Sequence, residues 1–318
     1  MSHQDTSYLY TYSFYEEELD LCHLEMRSFF GFQSESNVLL SNIKVDPNRS
    51  PFMKHRLDII FRGASQEEII HKVRTLPKTT NSFKVVFVKN PDIPKGLQVP
   101  FEQRRQIERE VGQHIPGTAN LKDPDSLFGL MFVNDQWVFG TYIESEPIWH
   151  YHQKKPQHYS TALNTRVARA VVNIAVPEPM GITAIDPCCG IGTVLIEALS
   201  MGISIKGSDI NPLAIRGARE NLIHFGYSTS IVQIKDIRHI TERSDVVIMD
   251  MPYNLCSVLT DQEKRDMIQT AKLIGKKIVI VTIEPLDALI EEVGVSIVDR
   301  CIIKKGLTFQ REVIVVRS

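Results

Sequence analysis

The stretch that decides the fold is Asp186-Pro187-Cys188-Cys189-Gly190-Ile191-Gly192-Thr193, which lies between a predicted strand and a predicted helix. The apolar run at 181–185 is typical of a short buried strand, and residues 194–199 have the composition of a helix start. Glycine carries no Cβ, so the backbone of this turn can approach a ligand closely. The first turn of the helix adds free N–H groups and a partial positive charge. The stretch therefore predicts a ligand-binding turn at the end of a strand.

An aspartate stands at the end of four successive predicted strands. These strands are 181–186, 203–209, 231–236 and 245–250, and they end in Asp186, Asp209, Asp236 and Asp250. Strands that alternate with helices predict a parallel sheet covered on both faces. Such sheets bind ligands at the carboxyl ends of their strands. A single aspartate there is often only a helix N-cap, but four in succession favour a shared site.

The ligand of this turn is not expected to be a dinucleotide. Leu195 occupies the position of the third glycine in the dinucleotide fingerprint, and Asp186 disfavours a pyrophosphate beside it, so a dehydrogenase is disfavoured. Asp209, at the end of the second strand, suits the two hydroxyls of a ribose. The pattern resembles motif I of Rossmann-like S-adenosylmethionine methyltransferases. This resemblance implies that Asp186 interacts with the amino-acid end of the cofactor.

The fourth strand leads into Asp250-Met251-Pro252-Tyr253, which resembles the [DN]-P-P-[YFW] motif of methyltransferases that modify exocyclic amino nitrogens. The lone pair of such a nitrogen is delocalised into the ring. A carboxylate and a backbone carbonyl that accept its N–H bonds direct the lone pair toward the methyl donor. The resemblance implies that Asp250 is the acceptor, Pro252 shapes the loop and Tyr253 stacks on the base. Met251 replaces the first proline of the motif, so the loop loses one fixed φ angle.

Across residues 150–257 these features together resemble the THUMP-domain tRNA guanine-N2 methyltransferase family. The resemblance implies methyl transfer from S-adenosylmethionine to the N2 amine of a guanosine in tRNA, at position 10 or 6. A segment around Lys155-Pro156 resembles the family's extra motif, which closes over the methionine end of the cofactor. By the same resemblance, the cofactor-binding residues are Gln157, Tyr159, Ser160, Thr161, Asp186, Cys188, Gly190, Gly192, Thr193, Asp209, Ile210, Asn211, Asp236, Ile237 and Asp250.

Four segments are predicted along the chain. Residues 1–78 have the order strand, helix, strand, strand, helix and are predicted to form a ferredoxin-like α+β domain. Residues 79–147 resemble a THUMP domain, an RNA-binding module, through Leu121-Lys122-Asp123-Pro124-Asp125 and the hydrophobic strand after it. Residues 148–180 are predicted to hold a linker and a cofactor-capping helix from 162 to 174, with Ser160 or Thr161 as its N-cap. Residues 181–318 are predicted to form an α/β, Rossmann-like methyltransferase domain with a mostly parallel sheet and an antiparallel last strand.

Charge is distributed unevenly, although the net charge is only −2. Residues 44–109 carry fourteen Lys and Arg against seven Asp and Glu, and acidic segments flank them. A basic block of this kind is either a solvated surface or a site that binds a polyanion. With the THUMP resemblance it predicts tRNA as the partner. The residues predicted to bind RNA are Lys78, Lys84, Lys89, Lys95, Arg104 and Arg105.

Several classes of protein are disfavoured by the sequence. No apolar run is long enough to span a membrane, and the first residues lack the features of a signal peptide. The five cysteines form no C-x-x-C pair, which indicates reduced thiols and predicts a cytoplasmic protein. The histidines at 150, 152 and 158 have no helical i, i+4 spacing, so no metal is expected.

Some alternatives stay open at this level. The motif at Asp250 also occurs in adenine-N6 methyltransferases that act on RNA or DNA. A non-catalytic RNA-binding scaffold is the other alternative, and Met251 is its only support. The sequence does not select the nucleotide position or mono- versus dimethylation. It also leaves open the oligomeric state and the need for a small activator protein.

Overall fold

The computed structural model describes residues 7–78, 80–159, 162–252, 259–305 and 309–317. Its strands are β1 (Tyr8–Tyr12), β2 (Val38–Ser41), β3 (Met53–Gly63), β4 (Ser82–Phe87), β5 (Thr118–Ala119), β6 (Ser126–Val133), β7 (Gln136–Glu144), β8 (Thr183–Asp186), β9 (Ser204–Asp209), β10 (Val232–Ile234), β11 (Ser244–Asp250), β12 (Gly275–Thr282), β13 (Ser296–Lys305) and β14 (Phe309–Arg317). Its helices are α1 (Leu19–Phe30), α2 (Gln66–Val73), α3 (Phe101–Gly112), α4 (Ile148–Tyr151), α5 (Thr165–Ala175), α6 (Thr193–Ser200), α7 (Pro212–His224), α8 (Asp261–Ile274) and α9 (Asp287–Val293).

The chain divides into two compact units. The first unit comprises residues 1–13, 34–48 and 52–146, and the second comprises residues 14–33, 49–51 and 147–318. Within the described residues, no helix is long and apolar enough to cross a membrane.

The first unit is built on one sheet with the strand order β2-β1-β3-β7-β6-β4-β5. Helices α2 and α3 cover one face, where Ile69 of α2 and Val111 of α3 join buried side chains of the central strands. Strands β6 and β7 form a hairpin that is joined through Asn134 and Asp135. Both residues have positive φ, as the favoured two-residue hairpin turn requires.

The sheet of the first unit crosses the predicted boundary between residues 78 and 79. Strand β3 precedes that boundary, and it pairs antiparallel with β7, which follows it. Helix α1 was predicted within the N-terminal domain, but it lies in the second unit and packs against α5 and β13. Its buried face, which includes Leu21, Leu24 and Met26, explains that placement. The division into ferredoxin-like and THUMP-like domains stays a prediction.

The second unit contains the predicted α/β sheet, with the strand order β10-β9-β8-β11-β12-β14-β13. The strands from β10 to β12 are parallel, and β14 pairs antiparallel with both β12 and β13. The order reverses between β8 and β11, so the carboxyl ends of these two strands flank a crevice where ligands bind in such sheets. The predicted fold class is confirmed.

The helices around this sheet begin at identifiable caps, and one of them begins later than the sequence predicts. Asn211 caps α7 by accepting from the Leu213 amide, and Pro212 is the first helical residue. Helix α5 was predicted to begin at 162, but it begins at Thr165. Its N-cap is Asn164, whose side chain accepts from the Val167 amide at 2.8 Å. The asparagine competes well as a cap because its side-chain oxygen reaches the free N–H groups of the first turn.

A buried ion pair joins α5 to α6. Arg169 of α5 and Glu197 of α6 are 1% and 0% exposed, and their charged atoms lie 2.8 Å apart. The other oxygen of Glu197 lies 2.8 Å from Nδ1 of His152, and Arg169 also donates to Ser200 Oγ. Glu197 lies one turn after Thr193, so this network holds the helix that follows the glycine turn.

We predict that Glu197→Ala lowers the free energy of unfolding by about 3–5 kcal/mol, because it leaves the Arg169 guanidinium buried without its carboxylate. Urea denaturation measures this change. Glu242→Ala is the control, since Glu242 and its partner Lys206 are 54% and 59% exposed. That variant should change stability by less than about 1 kcal/mol. Equal effects of the two substitutions would contradict the prediction.

Candidate active site

A cavity of about 330 Å³ opens at the carboxyl ends of the parallel strands of the second unit. The cavity is bordered by the ends of β8, β9 and β11 and by the turn after β10. The lining residues are Tyr159, Ala162, Leu163, Asp186, Pro187, Cys188, Cys189, Gly190, Ile191, Thr193, Val194, Asp209, Ile210, Asn211, Ala214, Asp236, Ile237, Arg238, Asp250, Met251, Pro252, Leu259, Glu263 and Met267. All four strand-end aspartates therefore meet in one place, as the sequence predicts.

The glycine turn forms one wall of the cavity. Gly190 and Gly192 have φ of 52° and 82°, in the left-handed region that favours glycine. The carboxylate of Asp209 accepts the Gly190 amide at 2.9 Å and the Asn211 amide at 2.8 Å. Leu195 replaces the third glycine of the dinucleotide pattern. Its Cδ1 lies only 2.6 Å from the position that a Cβ on Gly207 of β9 would occupy. The absence of a side chain at Gly207 therefore leaves room for Leu195.

Asp236 also lines the cavity and is paired with a basic neighbour. It follows β10 and pairs with Arg238, with 2.5 Å between their charged atoms. The hydrogen bond from Arg238 is the main cause that holds the pKa of Asp236 below its usual range. Asp236 is therefore ionised at neutral pH, and its carboxylate is held by Arg238.

Asp186 and Asp250 lie deeper and have the opposite electrostatic character. Asp186 is 2% exposed, and burial together with the charges of Asp250 and Asp209 raises its pKa well above the usual range. Burial raises the pKa of Asp250 to about 7, while the charge of Arg311 opposes that rise. Asp250 Oδ1 is buried and has no hydrogen-bond partner among the described residues. An unsatisfied buried oxygen that lines a cavity is typical of catalytic and ligand-binding groups.

The turn after Asp250 shows how the chain accommodates the missing proline. The amide of Met251 donates to the carbonyl of Val281 at 2.8 Å and so continues the pairing of β11 with β12. A proline at this position has no N–H to donate. The Met251 side chain is 4% exposed and belongs to the core cluster around α8. A hydrogen bond and a buried side chain therefore fix the turn where the motif ordinarily uses a ring.

Most of the predicted cofactor residues line the cavity, but not all of them do. Gln157 lies outside the lining, and its side chain donates to Glu220 at 2.5 Å. Gly192 also lies outside the lining and precedes α6 as its N-cap. Ser160, Thr161 and Tyr253 lie outside the described residues. The roles of all these residues stay predictions.

Sequence reasoning missed some residues of the cavity wall. Arg238 and Glu263 are the charged ones, and Arg238 has a sequence signal because it follows Asp236 by two positions. Glu263 accepts from the amide of Thr260 at 2.8 Å and caps α8, so its sequence signal is a capping box. The apolar residues Leu259 and Met267 had no signal that distinguishes them from core residues.

The basic residues predicted to bind RNA lie in the first unit. Arg104 and Arg105 are on α3, and their guanidinium carbons lie 5.6 and 5.1 Å from the centroid of the Phe101 ring. That ring is 55% exposed. The remaining predicted residues are Lys78, Lys89 and Lys95, which are exposed, and Lys84 on β4, which is half-buried. RNA contact by these side chains stays a prediction.

The second unit is similar to known methyltransferases. Residues 152–271 match the family described as "RMKL-like, methyltransferase domain". The crystal structure of TrmN from Thermus thermophilus resembles the whole chain with a TM-score of 0.50 at 18% identity, and the alignment covers 98% of this chain and 99% of that one. At this identity the likeness concerns the fold. The fold is therefore that of a Rossmann-like methyltransferase, and residues 152–271 are similar to a methyltransferase domain.

Two archaeal proteins are similar to this chain over part of its length. The tRNA (guanine(10)-N2)-dimethyltransferase of Methanothermobacter thermautotrophicus is 31% identical over 174 residues, which cover 52% of this chain and 51% of that protein. The enzyme of the same name in Methanocaldococcus jannaschii is 24% identical over 241 residues, which cover 65% of this chain and 68% of that protein. The resemblance of the chain to the tRNA guanine-N2 methyltransferase family is therefore confirmed. The chain spans about half the length of the Methanothermobacter relative.

We predict that Asp250→Asn gains stability over the native protein as pH rises. Asp250 has a folded pKa of about 7, whereas an unfolded aspartate has a pKa of about 3.9. The folded state therefore holds this proton to higher pH, and native stability is lost as pH rises through that window. The advantage of the neutral asparagine should grow by about 2 kcal/mol between pH 5 and pH 7 and stay constant above pH 8.

Urea unfolding across this pH range tests the prediction. Asp245→Asn is the matched control, because Asp245 lies in the same strand β11 and its pKa is lowered by hydrogen bonds from Thr183. Its carboxylate is ionised throughout the range in both states, so the difference from the native protein should not change with pH. If the difference in unfolding free energy between Asp250→Asn and the native protein were also independent of pH, the raised pKa of Asp250 would be refuted.

Proposed function

We propose that this protein transfers a methyl group from S-adenosylmethionine to the exocyclic N2 of a guanosine in tRNA. The observation that carries the proposal is Asp250, whose buried Oδ1 has no donor among the described residues and whose side chain lines the cavity with Asp186 and Asp209. Two relatives are named for guanine-N2 methylation of tRNA. The sequence motif alone left adenine N6 open, and these relatives favour guanine.

The cavity has the chemistry that S-adenosylmethionine requires. This cofactor carries a sulfonium and an ammonium group and supplies an electrophilic methyl group. Its positive charge would favour the ionised form of Asp186, whose pKa is raised mainly by burial and further by the charges of Asp250 and Asp209. Asp186 is placed to accept from the amino-acid end, and Asp209, at the end of β9, to accept from the ribose hydroxyls. Among the described lining residues Arg238 is the only cation, so the wall stays acidic overall.

Asp250 would orient the guanine amine and accept the proton that methyl transfer releases. The guanine amine is a weak nucleophile, because its lone pair is delocalised into the ring. Asp250 Oδ1 and the carbonyl of Met251 would accept its two N–H bonds and orient the lone pair. A pKa of about 7 lets the carboxylate take the released proton near neutral pH. The base must first leave any stack, at a cost of a few kcal/mol.

The proposal includes a role for the first unit. Its basic residues would hold tRNA through shape and phosphates, as expected for RNA modules that do not read sequence. The same proposal places the protein in the cytoplasm, where tRNA is modified and thiols stay reduced.

Transfer of labelled methyl from S-adenosylmethionine to unmodified tRNA, followed by nucleoside analysis, tests the proposed function. We expect N2-methylguanosine from the native protein. Asp250→Ala should lose at least about a hundredfold in rate, because it removes both the acceptor and the base, while it still binds the cofactor. Duplex DNA of equal mass should accept no methyl.

Three results would change the proposal. Methyladenosine as the product would support S-adenosylmethionine as the cofactor but would show that guanine N2 is not the target atom. Full activity of Asp250→Ala would overturn the role of that carboxylate. Cofactor binding without methyl transfer would indicate either a non-catalytic RNA-binding scaffold or a requirement for a small activator protein. Activity that appears on addition of a cell extract to the native protein, but not to Asp250→Ala, would indicate the activator.

We predict that Arg104→Glu combined with Arg105→Glu weakens tRNA binding and lowers its salt dependence, because each lost phosphate contact lowers the slope of log K against log salt by about 1. Filter binding at several salt concentrations measures both quantities. The control is Arg243→Glu combined with Lys276→Glu, which reverses two exposed charges in the second unit. Cofactor affinity should stay unchanged in both. Native affinity of the α3 variant at every salt concentration would disprove this RNA contact.

A further inference from the structure

One buried asparagine joins the capping segment to the glycine turn. Asn221 lies in the last turn of α7 and is 0% exposed. Its Oδ1 accepts the backbone amide of Gln157 at 2.8 Å, and its Nδ2 donates to the Gln157 carbonyl at 3.2 Å. The same Nδ2 donates to the carbonyl of Ile191 at 3.0 Å. The side chain thus forms two hydrogen bonds with the backbone of Gln157, as a neighbouring strand would. It also binds the turn that begins at Gly190 through the carbonyl of Ile191.

The surface of α7 around Asn221 is shaped for this contact. Gly217 lies one turn earlier on the same face. A Cβ there would stand 3.1 Å from Ile191 Cγ2 and 3.6 Å from Gln157 Cβ. The absence of a side chain at Gly217 therefore lets both segments approach the helix together. Asparagine and glycine are poor residues for a helix interior, so their presence in one helical face favours a role other than helix stability.

The two segments held by Asn221 form two walls of the cavity. Tyr159, Ala162 and Leu163 follow Gln157 closely and line one side. Gly190 and Ile191 line another side. Asn221 itself does not line the cavity, so it has no direct contact to offer a ligand. Its hydrogen bonds instead fix the separation between the capping segment and the turn.

We propose that Asn221 is a positioning residue that sets the affinity of the cavity for S-adenosylmethionine. This inference rests on the proposed function for the identity of the ligand. It also reassigns Gln157, which was predicted as a cofactor neighbour. Gln157 acts through its backbone, as the point where the capping segment attaches to α7.

Asn221→Asp tests the proposal, because the substitution keeps the size and one acceptor oxygen but removes both donated hydrogen bonds. Isothermal titration calorimetry measures the Kd of S-adenosylmethionine without RNA. We expect the Kd to rise about tenfold, as the loss of one or two hydrogen bonds would produce. The KM for S-adenosylmethionine should rise similarly, while kcat at saturating cofactor and the KM for tRNA stay within about twofold of native.

Leu222→Ala is the matched control. Leu222 is the next residue of α7 and is 0% exposed, so its truncation destabilises the same helix and removes none of the hydrogen bonds that Asn221 makes with Gln157 and Ile191. This variant should unfold at lower urea concentration and keep the native Kd. An unchanged Kd in Asn221→Asp, or an equal rise in Leu222→Ala, would overturn the positioning role.

The binding measurement separates this inference from the proposed function. If the native protein binds S-adenosylmethionine but methylates no tRNA, the proposed reaction fails, and a tenfold difference in Kd still supports Asn221. If the native protein methylates tRNA and Asn221→Asp binds the cofactor normally, the inference alone fails. If the native protein does not bind S-adenosylmethionine, both fail.

Discussion

The hydrogen bonds of the Asp209 carboxylate hold the candidate site together. One oxygen accepts the amide of Gly190 and the other accepts the amide of Asn211. The first bond fixes the glycine turn after β8, and the second fixes the start of α7 after β9. Two loops from neighbouring strands therefore share one carboxylate, and the cavity between them has a defined width before any ligand binds.

The remaining aspartates differ in protonation because their surroundings differ. Asp236 has a guanidinium beside it and stays ionised, whereas Asp250 is buried and holds its proton up to about pH 7. Similar side chains at equivalent strand ends thus have different chemistry. This separation suits a site in which some carboxylates hold a cationic ligand and one exchanges a proton near neutral pH.

Local sequence patterns predicted those parts of the site that depend on neighbours along the chain. The glycine turn, the aspartate at each strand end and the cap of α7 by Asn211 follow from residues within one strand–turn–helix unit. The start of α5 was misplaced because Ser160, Thr161 and Asn164 are all residue types that cap helices, and Asn164 is the one that caps α5. Asn221 had no signal, since an asparagine within a predicted helix is ordinarily an exposed residue.

The sequence by itself determined the class of fold and the location of the site, because alternating strands and helices allow few arrangements and place every strand end at one edge. Only the tertiary structure decided which residues act together. It placed α1 in the second unit, joined Arg169 to Glu197, and replaced the missing proline with a bond from Met251 to Val281. These contacts join residues far apart in the chain, and their energies depend on burial and distance, which no local pattern records.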